Sequence, residues 1–144
     1  MADRAEDFLF TVSKMEKALG RIKTAYMGAF ELKGSYAVCM VQMKKCWDGC
    51  TMTELMQMVH ADKAHISRIM KELIAKKLVV KIGDPGKYKA KYMLSEKGFQ
   101  LAGKMEKFMA EVQRKADEGI SEKDLEIFYR VLFQINHNLE KIEV

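Results

Sequence analysis

Two helix-start signals lie eleven residues apart in the stretch TMTELMQMVHADKAHISRIMKEL, Thr51 to Leu73. Thr51 and Glu54 have the spacing of a capping box, in which the threonine hydroxyl accepts the Glu54 amide while the Glu54 carboxylate reaches back. Asp62 is the second signal, a residue whose short acceptor suits the N-cap position. The interval leaves room for about two turns of helix at 3.6 residues per turn. One helix must therefore end near Val59, "HAD" must turn the chain, and a second helix must start at Lys63. Two short helices joined in this way make a helix-turn-helix, and the rest of the chain has to accommodate it.

The apolar periodicity agrees. Leu55, Met58 and Val59 point to one side of the first helix, and Ile66, Ile69, Met70, Leu73 and Ile74 form the stripe of the second, which extends to about Lys77. Lys63, Ser67 and Lys71 fall on the opposite face, with Ala64 and Arg68 beside them. Downstream, "LVVKI" (78–82) and "YKAKYML" (88–94) are β-rich, and "GDPGK" between them holds the single proline of the chain, as a hairpin loop requires. Upstream, a long helix from about Asp3 to Phe30 is broken by "KGS" (33–35). A helix over Tyr36–Cys46, apolar almost all round, is expected to be central and buried, and "WDGC" to be a turn. Ser95 caps a helix with Leu101, Met105, Phe108 and Val112 as its stripe, closed by Gly119. "SEKD" (121–124) opens the last helix, with Leu125, Phe128, Leu132, Ile135 and Leu139 at steps of three and four.

The expected fold is mostly α with a small β-hairpin: one domain over residues 1–144, with a winged helix-turn-helix core at about 35–94. The helices at about 3–32 and 95–144 carry continuous apolar stripes outside that core, and a second copy of the chain is the economical way to bury them.

Charge and composition narrow the function. The net charge is +5, yet Lys63 to Lys91 holds nine Lys/Arg against Glu72 and Asp84, a local +7 that leaves −2 for the remainder. Basicity confined to one block points to a polyanionic partner docking there. The opening "MADRAEDF" is too charged for a secretion signal, and the longest apolar run, Tyr36 to Val41, is far short of a membrane span of roughly 18 residues. Three cysteines, an odd number, suit a reducing compartment, so the expectation is a cytoplasmic protein with no membrane association. No nucleophile–base pair, phosphate loop or paired-carboxylate motif suggests an enzyme. Cys46, Cys50, His60 and His65 lack the spacing of a zinc site, so neither metal nor cofactor is expected. Cys39 reads as core and Cys46 and Cys50 as thiols exposed near a turn. The twelve methionines mostly occupy stripe positions, as core fillers do.

The order of elements resembles the multiple-antibiotic-resistance regulator (MarR) family of bacterial transcription factors. The resemblance rests on "TELMQMVHADKAHISRIMKELIAKKLVVKI", on the basic hairpin ending "LSEKG" (94–98), and on "ISEKDLEIFYRVLFQINHNLEKI", and it covers nearly the whole chain. It implies that the Lys63 helix enters DNA, that the hairpin is a wing, and that the terminal helices dimerise. It further implies a repressor released by a small aromatic or phenolic effector, with Tyr26, Phe30, Tyr36, Met40 and Trp47 as candidate pocket walls; periodicity alone does not separate a pocket lining from packed core. Two departures stand out. The usual turn glycine is His60 here, from which a turn without positive φ is expected, and the wing carries lysines where paired arginines are usual, which weakens its reading of bases or of a narrow minor groove.

A recognition helix needs small donors and acceptors near its N-terminus, flanked by cations for phosphates. Lys63, Ala64, His65, Ser67 and Arg68 fit that order on double-stranded DNA. Arg68 is the candidate for a bidentate guanine contact; His65 and Ser67 suit base edges or phosphates, Ala64 a thymine methyl, and Lys71 the backbone. Lys87, Lys89 and Lys91 would follow the flanking backbone or minor groove. Arg68 has another use, an i,i+4 pair with Glu72. A homodimer would read a pseudo-palindromic operator. The alternatives are a cysteine-based redox sensor of the same fold and a winged helix that binds RNA or protein.

Overall fold

A computed structural model describes residues 2–83 and 90–144. In chain order the elements are α1 (Ala2–Gly28), α2 (Tyr36–Lys44), β1 (Cys50–Thr51), α3 (Met52–Val59), α4 (Lys63–Ala75), β2 (Val79–Ile82), β3 (Lys91–Leu94), α5 (Glu96–Ala116) and α6 (Glu122–Glu140). Contacts divide the chain into two units, Met1–Glu106 and Lys107–Val144, with the boundary inside α5.

The core of the first unit forms around α2. Tyr36, Ala37, Cys39, Met40 and Met43 are buried there. They join Leu55 of α3, Ile66, Ile69, Met70 and Leu73 of α4, Val79 and Leu94 of the sheet, and Leu101, Ala102 and Met105 of α5 in one cluster. Each fully buried aliphatic of this kind contributes about 1.5–3 kcal/mol relative to exposure. Ile74, expected in the α4 stripe, is instead 38 % exposed. The stripe spans more of the helix circumference than the core beneath it, and Ile74 sits at its edge.

The two start signals hold. Thr51 and Glu54 make the reciprocal capping box, with Thr51 N to Glu54 Oε1 at 3.1 Å and Glu54 N to Thr51 Oγ1 at 3.2 Å. Asp62 accepts the His65 amide at 2.8 Å. How the helices stop was less visible. Glu31, His60 and Lys77 follow α1, α3 and α4 in left-handed conformations, with φ of 58°, 53° and 61°. At each, the next amide reaches back five residues: Leu32 to Met27 at 3.1 Å, Ala61 to Met56 at 3.2 Å, Leu78 to Leu73 at 2.9 Å. This is the Schellman closure, which satisfies end carbonyls but usually employs glycine. The expectation that His60 has no positive φ is therefore corrected: the turn keeps the left-handed geometry and imposes it on a histidine.

The expected hairpin is part of a three-stranded antiparallel sheet in the order β1-β3-β2. Val79 pairs with Leu94 and Ile82 with Lys91, while Cys50 and Thr51 pair with Tyr92 and Lys91 on the other side of β3. β1 is two residues long, too short to show an alternating pattern, so "WDGC" read as turn alone. Gly49 (φ 99°) permits this approach, because a Cβ there would lie 3.2 Å from Lys91 Cβ. The described strands are shorter than 78–82 and 88–94, and Asp84–Lys89, which include most of the loop and the candidates Lys87 and Lys89, fall outside the described residues.

In the second unit, Ser121 caps α6 by accepting the Asp124 amide at 3.1 Å. None of the α6 residues is buried, and Ile127, Phe128, Val131, Leu132, Phe133 and Leu139 are exposed. In the first unit, Phe8, Val12, Met15 and Leu19 of α1 are exposed as well.

Candidate nucleic-acid interface

The buried stripe of α4 fixes which way its remaining residues point. With Ile66, Ile69, Met70 and Leu73 in the core, Lys63, Ala64, Ser67, Arg68 and Lys71 are all exposed, and His65 is half-buried at the margin. These six sequence-derived candidates therefore share one accessible side of a single rigid element. Lys91 lies across the sheet in β3, half-buried, opposite Thr51 and Ile82.

Concave surfaces flank the helix. One, of about 450 Å³, is lined by Lys33, Ser35, Tyr36, His65, Arg68, Lys71 and Glu72 among others. Another, of about 560 Å³, shares Ser35, His65 and Arg68 and adds Lys23, His60 and Asp62. A third, of about 660 Å³, joins the capped start of α3 (Thr51, Thr53, Glu54) to Lys63 of α4 and to Ala90 and Tyr92 at the wing base. The N-terminal half of α4 is thus bordered by the start of α2 on one side and by the sheet on the other. Lys23, Lys33 and Ser35 are not among the candidates read from the sequence, where "KGS" reads only as a helix break.

The electrostatics of α4 turn on Glu72. Its carboxylate accepts a hydrogen bond from the Tyr36 hydroxyl. Burial, then the hydrogen bond and the negative charge of Glu72, push the Tyr36 phenol up to about 12, while Arg68 acts in the opposite direction. Among the described residues no hydrogen bond or ion pair engages Arg68, whereas Lys44 pairs with Glu106 and Arg114 with Glu111. At the wing base, Lys81 Nζ stands 5.7 Å from the Tyr92 ring centroid, a cross-strand cation–π contact.

The candidate effector walls fall in different places. Tyr36 lines the 450 Å³ concavity. Tyr26 and Phe30 stack edge-to-face at 5.4 Å against the core, Met40 is fully buried, and Trp47 is 76 % exposed beyond the end of α2.

Cys39 is buried in the core as expected, whereas the other two cysteines differ from expectation. Cys50 is buried, not exposed, because β1 carries it beneath the sheet, and Cys46 is only half-buried. Cys46 Sγ lies 3.9 Å from Met58 Sδ. Burial pushes the Cys39 thiol up to about 11; burial, reinforced by Cys46, pushes Cys50 up to about 12. Among the described residues no group of three or more His, Cys, Asp or Glu side chains could hold a metal ion, and no helix is long and apolar enough to cross a membrane.

The sequence matches no family model and no curated protein. Solved structures do match. The transcriptional regulator SlyA superposes with a TM-score of 0.84 at 17 % identity, over 92 % of this chain and 94 % of that one. A MarR protein from Peptoclostridium difficile gives 0.83 at 17 % identity, over 93 % and 88 %. MepR from S. aureus, in a complex with DNA, gives 0.77 at 16 % identity, over 92 % and 95 %. The chain therefore has the fold of the MarR-family regulators, a mostly α winged helix-turn-helix.

Proposed function

We propose that this protein is a MarR-family transcriptional regulator that binds double-stranded DNA as a homodimer, with α4 in the major groove of each half-site. One observation carries the reading: packing of the α4 stripe leaves Lys63, Ala64, Ser67, Arg68 and Lys71 together on the accessible side of a helix. Small polar groups near the N-terminus of such a helix meet base edges, and the flanking cations meet phosphates. The sheet beside α4 continues the basic surface through Lys91, and Lys87 and Lys89 belong to the same proposal. A structural neighbour with this fold, MepR, is complexed with DNA.

Two-fold symmetry would place two recognition helices about one turn of DNA apart and make the operator a pseudo-palindrome. The exposed apolar side chains of α6 and α1 support the homodimer, since faces of this kind on a small protein mark association surfaces. Repression in the cytoplasm, released by a small aromatic or phenolic effector, completes the proposal. Selection from a genomic DNA library with the purified protein tests it: enrichment of a palindromic site is expected, whereas featureless, salt-sensitive binding would overturn sequence-specific regulation.

Burial and proton retention at Cys50 argue against it as the thiol of the redox-sensing alternative, since oxidants attack thiolates, and leave that alternative to the half-buried Cys46.

A further inference from the structure

Arg68 and Glu72 are four residues apart on one helix, the spacing at which an arginine and a glutamate ordinarily pair. They do not pair here. The Glu72 carboxylate is taken by the hydroxyl of Tyr36, 36 residues away in sequence, and among the described residues no hydrogen bond or ion pair engages the guanidinium. Tyr36 is well placed for this. It is the first residue of α2, 3 % exposed, and its amide is anchored on the Lys33 carbonyl at 3.0 Å. The ring is clamped in the core, so the hydroxyl emerges at a fixed point against the side of α4. Tyr36, Arg68 and Glu72 all line the same 450 Å³ concavity, so the two partners open to Glu72 are within one small space.

We propose that Tyr36 is a positioning residue for DNA recognition, which holds the Glu72 carboxylate away from Arg68 and so keeps the guanidinium available to nucleic acid. The inference rests on the DNA-binding reading above. Without the hydroxyl, the Glu72 carboxylate would pair with Arg68 and offset the guanidinium charge that incoming phosphates and bases would otherwise meet. An exposed pair of this geometry shifts an equilibrium about two-fold, and a dimer engaging two half-sites meets that factor twice. The phenol is itself a dependable donor, because its pKa of about 12 keeps the proton on throughout the neutral range.

The experiment compares four proteins, wild type, Tyr36→Phe, Glu72→Gln and Tyr36→Phe/Glu72→Gln, on the duplex recovered by selection and on a random duplex of equal length. Tyr36→Phe keeps the buried ring and removes only the donor. It is expected to weaken binding to the selected duplex about four-fold and to lower the selected-to-random ratio. The double variant, with no carboxylate to hold Arg68, is expected to return to within about two-fold of wild type, as is Glu72→Gln alone. Tyr36→Phe with an unchanged ratio, a double variant as weak as the single one, or a loss in Glu72→Gln alone would each overturn the proposal and leave Tyr36 a packing residue. A wild type that binds neither duplex would instead overturn the DNA-binding reading.

Discussion

The backbone of Gly98 packs so closely on the Leu78 carbonyl that a Cβ at Gly98 would sit 2.1 Å from its oxygen. The same carbonyl accepts the Ser95 amide at 3.0 Å, and the Ser95 hydroxyl donates to the Lys77 carbonyl at 2.7 Å while accepting the Gly98 amide at 3.0 Å. The end of α4, the start of β2 and the start of α5 are thereby fastened at one point. Gly98→Ala should cost about 2–3 kcal/mol, because the obstacle is backbone and has no rotamer to move into. Thermal unfolding should show a fall of roughly 4–12 °C for a chain of this size. An unchanged midpoint would mean that the turn yields easily and does not fasten the wing.

"LSEKG" was legible as a motif, but the reason for its glycine was not, since that reason is a carbonyl twenty residues earlier in the chain. The same division runs through the structure. Caps at Thr51, Asp62 and Ser121 were readable because donor and acceptor are three residues apart. β1 was not, because two residues carry no period. The exposed face of α4 followed from its stripe, whereas the Tyr36–Glu72 bond and the contribution of Lys33 and Ser35 depend on how α2 docks, which no local pattern encodes.

His60 closes α3 at φ 53° and ψ 50°, a conformation in which an L side chain crowds its own backbone. His60→Gly relieves that crowding and gives back part of the gain through the greater freedom of the unfolded chain. The net expectation is a stabilisation of about 0.5–1 kcal/mol, read as a higher urea midpoint at unchanged slope. Destabilisation would show that the imidazole, which lines the 560 Å³ concavity, makes contacts worth more than the strain.

Burial of Cys39 and Cys50 gives a prediction in two parts. With thiols held at about 11 and 12, almost no thiolate is present near neutral pH, so native labelling by a disulfide reagent should modify at most Cys46. All three should react after unfolding. The folded state also retains these protons, and that of Tyr36, beyond the ordinary pKa values of 9.0 and 10.0. Their contribution is intact below about pH 9 and is lost progressively from there up to about pH 11 to 12, because between those values the unfolded chain ionises while the folded chain keeps its protons. Alkaline unfolding should therefore release protons. Rapid native labelling of Cys39 or Cys50 would contradict the burial.

Arg68 and Lys71 separate two roles on one helix. Arg68→Ala should remove discrimination worth about 1–3 kcal/mol at one base pair of each half-site, so binding to the selected duplex falls more than binding to random DNA. Lys71→Ala should weaken both duplexes alike and lower the slope of log affinity against log salt by about one unit for each phosphate contact removed. Equal losses on both duplexes for Arg68→Ala would reduce Arg68 to a phosphate contact.

The last prediction concerns α6, whose side chains are all at least partly accessible in the single chain and whose Phe128, Leu132 and Leu139 recur at helical spacing. Six large apolar side chains on one nineteen-residue helix would be an aggregation hazard if nothing covered them. A second copy can bury them by an isologous contact, and a charge placed in such a contact is left without solvent or partner. Leu132→Glu should therefore leave the helical content intact by circular dichroism while converting the species seen by light scattering from two chains to one. Because each half-site then binds alone, affinity for the selected palindrome should collapse towards that for a single half-site. A Leu132→Glu protein that remains dimeric at the same concentrations would place the association surface elsewhere. The exposed Phe8, Val12, Met15 and Leu19 of α1 would be the next face to charge.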